Sequence, residues 1–129
     1  MTKGIEFRAA HYPGRAPIDA YGNGGFRFAD MSHKGSILCL PSGVHGWEPL
    51  HPDKLSAEDF AEVLAEAQGI EVLLVGMGRD LRRLSPDLRE TLKAAGIASD
   101  PMSTGAAVRT FNVLLAEDRA VAAALIAVD

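Results

Sequence analysis

Hydrophobic spacing divides the chain near residue 53, with short apolar runs broken by glycine and proline before it and longer periodic segments after it. In the first half, Ile18–Tyr21 and Phe26–Ala29 flank Asn23-Gly24. Both residues of such a dipeptide tolerate positive φ, which a tight hairpin turn demands, so paired strands are predicted here. The run Ser36–Leu40 reads as an apolar strand stopped by Pro41, with a shorter strand over Val44–Trp47. This half is expected to be an antiparallel β unit.

In the second half, Phe60, Val63, Leu64 and Ala67 recur on one helical face, while Glu58, Asp59, Glu62 and Glu66 fall mainly off it. An amphipathic helix over Ser56–Ala67 follows, with Ser56 and Asp59 as an imperfect capping box. "IEVLLVG", ending at Gly76, is a buried strand in character. "SPDLRETLKAAG" opens with a cap serine and a first-turn proline and stops at Gly96, as a helix should. A short strand at Ile97–Ser99 would then pair in parallel with the strand ending at Gly76. A helix from Ser103 or Thr104 to Ala116 comes next. The alanine-rich "AVAAALIAVD" is expected to form a second short helix or helical turn, with an extended Leu125–Val128 as the other reading. The pattern as a whole predicts an α/β fold: one compact domain over residues 1–129, an antiparallel β unit, and a mixed sheet packed against helices.

Composition narrows the function. At 129 residues and 47% hydrophobic content the chain is long enough for a main core without disulfide or metal support. Cys39 is the only cysteine, so no intramolecular bridge forms, and "GSILCLP" makes it a buried strand residue in a reducing compartment. Thirteen basic against seventeen acidic residues, a net charge of −4, exclude nucleic acid as an expected partner, since phosphate backbones are bound by clustered Lys and Arg. With no apolar leader at the N-terminus and no run of membrane-spanning length, a cytoplasmic protein is expected, meeting any membrane only through a partner.

The chemical motifs are few. "LLVGMGRDL" runs a strand into Gly76-x-Gly78. A dinucleotide turn wants a third small residue three positions after the second glycine, where this chain has Leu81, and no phosphate-loop lysine follows. The mismatch favours a tight turn at a strand end. Arg79, Arg82 and Arg83 beside it read as a solvated face. His11, His33, His45 and His51 are dispersed without metal-ligand spacing, and no Gly-x-Ser-x-Gly elbow is present. No catalytic residue, metal or cofactor is expected.

Arg109 and Asn112 are the exception, a polar pair three apart on a helix that is otherwise small and apolar. An arginine desolvated there must meet a partner, because an unpaired buried charge costs several kcal/mol. Either it is clamped within the fold, to a carboxylate or carbonyls such as those of a loop at Asp100, or it faces a ligand. For the second case, the strand ends at Gly76 and Ser99 and the start of the last helix would converge on a cleft built from Gly76, Gly78, Arg79, Asp100, Met102, Thr104, Arg109 and Asn112. Trp47, the only tryptophan, marks either a contact surface or the base of a loop.

The segments "IDAYGNGGFRF", "GSILCLPSGVHGW", "IEVLLVGMG", "LKAAGI" and above all "MSTGAAVRTFNVLLAEDRAVAAALIAV" together resemble the domain-of-unknown-function family that includes the mitochondrial complex I assembly factor three and the adipogenesis-associated Mth938-domain protein. The resemblance runs from about residue 5 to 128 and implies an Mth938-like fold. Its recurrent motif falls on Gly76, Gly78, Met102, Thr104, Gly105, Arg109, Asn112, Glu117 and Arg119, none an established catalytic residue. Where the motif often has cysteine before its arginine, this chain has Val108, which argues against thiol chemistry. The resemblance implies an accessory protein without turnover of its own, with subunits of a respiratory complex or their assembly proteins as partners. The alternative is an anion or small-molecule binder, or an enzyme, using the cleft near Gly76, Asp100 and Arg109.

Overall fold

In the computed structural model, which describes residues 12–129, the Asn23-Gly24 turn joins β1 (Ala20–Gly22) to β2 (Gly25–Phe28). Asn23 and Gly24 have φ of 53° and 79°, the conformation expected of this dipeptide. A third strand, β3 (Met31–Lys34), follows through Ala29 and Asp30, which also take positive φ, 49° and 62°. The turn geometry is the same, but alanine gives no turn signal, so β3 was not expected from the sequence. These strands form one antiparallel sheet in the order β1-β2-β3.

The larger sheet has the order β5-β4-β8-β6-β7, built from β4 (Ser36–Leu40), β5 (Gly43–Trp47), β6 (Val72–Gly76), β7 (Ala98–Met102) and β8 (Val121–Leu125). The strand β6 pairs in parallel with both β7 and β8, and β4 joins antiparallel to β8, so the sheet is mixed as the pattern required. One expectation is overturned: Val121–Leu125 is not a helical turn but the central strand. Alanine favours helices, yet every residue of β8 is buried, between β4 and β6 and with packing on both faces. A strand covered on both sides shows a continuous apolar run rather than alternation, and its pairing outweighs local propensity.

The side chains of this sheet split between two cores. On one face Leu38, Leu40, Leu73, Val75, Ala122 and Ala124 meet Phe60 and Val63, from the segment before β6, and Leu88 and Leu92 of α2 (Pro86–Ala94). On the other face Ile37, Cys39, Leu74, Ala123 and Leu125 meet Ala107, Val108 and Phe111 of α3 (Thr104–Ala116) and Phe26 and Phe28 of the small sheet. Burial pushes the Cys39 thiol up to about 12, which makes it an inert core residue. The predicted helix over Ser56–Ala67 is broken into a 3-10 turn (Ala57–Phe60), a short α1 (Ala61–Ala65) and another 3-10 turn (Ala67–Gly69). Its apolar face is still the predicted one. Both longer helices open on the expected caps: Ser85 Oγ accepts from Leu88 N at 3.2 Å, and Ser103 Oγ accepts from Ala106 N at 3.3 Å.

Candidate functional site

Four residues of the Gly-x-Gly and α3 motifs meet at one knot where β6, β7, β8 and the start of α3 converge. Thr104 is fully buried. Its Oγ1 accepts from Gly78 N at 3.0 Å and donates to Ile126 O at 2.7 Å, while its own amide donates to Gly78 O at 2.8 Å. Met77 N donates to Met102 O at 2.8 Å, and Ile126 N to Gly76 O at 2.9 Å. Gly76 is glycine because nothing larger fits: a Cβ there would stand 2.9 Å from Thr104 Cα and 3.0 Å from Leu125 Cδ2. Gly78 is glycine because its φ is +98°. The amides of Met77 and Gly78 are therefore spent inside the fold, on Met102 and Thr104, rather than aimed at a phosphate.

Arg109 does not have the setting expected of it. Its side chain is exposed and makes no hydrogen bond or ion pair among the described residues. Its sequence neighbours Ala107, Val108 and Phe111 are buried on the inner side of α3, whereas Arg109 lies on the outward side with the half-buried Ala106 and the exposed Val113. The clamp belongs to Asn112 instead. Asn112 Oδ1 accepts from Ile18 N at 2.8 Å and its Nδ2 donates to Ile18 O at 2.9 Å, so one side chain reproduces a strand pairing and ties α3 to the segment leading into β1. Asp100 lies exposed on β7, an edge strand, beside Pro101. Ala98 N donates to Glu71 O and Met77 N to Met102 O, so residues 98, 100 and 102 face β6 and Ser99 and Pro101 face outward. Proline there removes a donor and guards the edge against strand addition.

The eight expected residues thus do not line one pocket. A large open cleft, about 1210 Å³, lies at the C-terminal ends of β6 and β8, and of the eight only Gly78 and Arg79 line it. Its floor is Met77, Ile126 and Trp47; its rims are residues 48–52 and residues 78–80 with Arg82, with Glu58 and Glu62 on a third side. Trp47 ends β5, as the strand predicted over Val44–Trp47 does, and is buried at the base of the following loop, with its indole N–H donating to Asp59 O at 2.7 Å and its ring 5.4 Å from Phe60 in an edge contact. Arg82 pairs with Asp53 and joins the two rims. His33 also lines the cleft, and partial burial holds its pKa below the ordinary histidine value, against a hydrogen bond to the Ser36 backbone that raises it. The sequence signal for this cleft was the lone tryptophan followed by "EPLHP", a segment unable to continue the sheet.

At the opposite end of the β4–β5 hairpin, Ser42 Oγ donates to Glu66 Oε2 at 2.5 Å and lies 2.8 Å from His45 Nε2. The three residue types are those of a hydrolytic triad, but the wiring is not. The carboxylate takes the proton of the serine, so the imidazole nitrogen supplies a hydrogen to Oγ instead of removing one. Among the described residues, no cluster of His, Cys, Asp and Glu is arranged to hold a metal ion. No helix among them is long and apolar enough to cross a membrane.

Residues 18–126 match the family described as Protein of unknown function (DUF498/DUF598). An uncharacterized protein of Rhodobacter capsulatus is 39% identical over 119 residues, covering 92% of this chain and 90% of that one. Mouse NADH dehydrogenase [ubiquinone] 1 alpha subcomplex assembly factor 3 is 30% identical over 95% of this chain, which spans 66% of the mouse protein's length. Among solved structures, one described as an outer membrane protein from Bartonella henselae has a TM-score of 0.89 at 65% identity, covering 92% of this chain and all of that one. A Mth938-like domain from Bordetella pertussis has a TM-score of 0.76 at 29% identity, covering 87% of this chain and 85% of that one.

Proposed function

We propose, for a chain that belongs to the DUF498/DUF598 family of proteins of unknown function, a role without turnover as an assembly factor for a respiratory NADH dehydrogenase. The observation that carries this reading is the similarity to the mouse assembly factor, which extends over 95% of this chain. The knot of Gly76, Gly78, Met102 and Thr104 then serves to fix the start of α3, and Arg79, Asp100 and Arg109 are the candidate residues exposed to a partner protein. Asn112 acts through Ile18, by holding α3 in place. The working unit is taken as residues 1–129. Nothing in the geometry adds to an anion-binding or enzymatic reading at Gly76, Asp100 and Arg109, since the nearby amides are already bonded and the three do not share a cleft.

The cytoplasm is the proposed compartment, with the assembling complex met at the membrane surface; fractionation of its native host checks this against an outer-membrane location. The test of the role is affinity purification of the tagged full chain from its own cells, with Arg109→Ala beside it. Enrichment of NADH dehydrogenase subunits or their assembly proteins, weakened in the variant, is the expected result. Absence of all such proteins from both samples would remove the assembly reading.

A further inference from the structure

The geometry points to the cleft at the C-terminal ends of β6 and β8 as a docking groove for an extended segment of a partner polypeptide that carries basic and apolar side chains. Four observations converge on that occupant. The volume, about 1210 Å³, exceeds the roughly 300–1,000 Å³ usual for small-molecule sites. Acidic residues outnumber basic ones two to one in its lining, and Glu48, Glu58 and Glu62 are exposed and make no ion pair among the described residues. The one arginine of the lining in an ion pair, Arg82, is already matched by Asp53. A cationic segment is the complement of such a wall.

The main chain of both rims is also unspent. Residues 48–51 and 79–84 take part in no main-chain to main-chain hydrogen bond among the described residues. A polypeptide in extended form supplies both donors and acceptors to such groups, which a small cation does not. Finally, the floor is apolar, and a large apolar side chain stands out on the rim, Leu50 at 57% exposure. It is an anchor for an apolar side chain of the occupant.

The role given to this groove rests on the assembly-factor reading, but its binding chemistry is testable on the purified full chain. Trp47, the only tryptophan, forms part of the floor and reports occupancy through its emission. Short synthetic peptides alternating leucine with lysine, with glutamate or with glutamine are titrated in turn, and spermine separately. The leucine–lysine peptide is expected to shift Trp47 emission, with an affinity that falls as salt is added. Glu58→Lys with Glu62→Lys, both at exposed positions, should weaken it at least tenfold and let the leucine–glutamate peptide bind. Asp19→Lys with Glu90→Lys, exposed and outside the cleft, should change it less than twofold.

No emission change with the lysine peptide overturns the proposal, as does equal weakening by both variant pairs, which would report only the net negative field. Spermine binding as tightly as the peptide reassigns the cleft to a small cation. A concentration-dependent dimer in sedimentation, abolished by the Glu58 and Glu62 changes, reassigns it to a second copy of this chain. Peptide binding without co-purification of any NADH dehydrogenase protein keeps the groove and removes the assembly role. The reverse pair of results keeps the role and removes the groove.

Discussion

Replacing Thr104 with valine keeps the shape of a fully buried side chain and deletes its hydroxyl. Two main-chain groups then lose their partner, the Gly78 N–H at 3.0 Å and the Ile126 carbonyl at 2.7 Å. Each buried polar group left unpaired costs about 1–3 kcal/mol. Valine recovers a little through its greater apolarity, so the net loss is about 2–4 kcal/mol. With a urea dependence of about 2 kcal/mol per molar, the middle of the range for a small domain, the unfolding midpoint should fall by about 1–2 M at unchanged slope. Urea denaturation followed by far-ultraviolet circular dichroism measures this directly. Thr104→Ser is the matched control, because it keeps both hydrogen bonds and gives up one methyl group, at about 1 kcal/mol. A valine variant as stable as the serine variant would refute the claim that the hydroxyl holds β6, β8 and α3 together.

Two glycines of the same region should respond differently to alanine. At Gly76 the new Cβ meets Thr104 backbone at 2.9 Å, which cannot yield, whereas at Gly105 it meets the Tyr21 hydroxyl at 2.4 Å, the end of a side chain 41% exposed and free to swing away. Differential scanning calorimetry should show a loss of about 2 kcal/mol or more for Gly76→Ala and less than about 1 kcal/mol for Gly105→Ala, where better helix propensity offsets part of the cost. Asn112→Ala should destabilise by about 1–2 kcal/mol and speed hydrogen exchange at the Ile18 amide far more than at Leu74. For His33, a folded-state pKa below its unfolded value means that the unfolded chain binds more protons, so its contribution to stability is full above the unfolded pKa and is lost as pH falls through the window down to the folded one. The melting temperature should therefore drop between pH 7.5 and pH 5 more steeply than in His33→Gln; identical slopes would contradict it.

The parts of the fold that were legible in the sequence are those where local chemistry and tertiary placement agree. Asn23-Gly24 turns, Ser85 and Ser103 cap, and Gly96 ends a helix at φ +86°. The central strand β8 was not legible because its alanines speak for helix, and only the burial of both its faces makes it a strand. The candidate site was legible in a similar half measure. Gly76, Gly78, Met102 and Thr104 do meet, since a strand end, a neighbouring strand and a helix start have to converge in a parallel α/β arrangement. The exposure of Arg109 was not legible because an apolar run does not say which side of a helix is covered: Ala107, Val108 and Phe111 are buried, while Arg109 and Val113 face outward. The cleft was missed because Glu48, Glu58, Met77 and Ile126 come from four distant stretches, and no spacing along the chain links them.

The proposed role in assembling a respiratory NADH dehydrogenase is best tested by deleting the gene in its own host and resolving the membrane complexes on a native gel stained for NADH oxidation. The full-size complex should fall severalfold while smaller subassemblies accumulate. The wild-type gene should restore the complex fully, and one carrying Arg109→Ala only in part. A full-size complex present at normal level and activity in the deleted strain would contradict it.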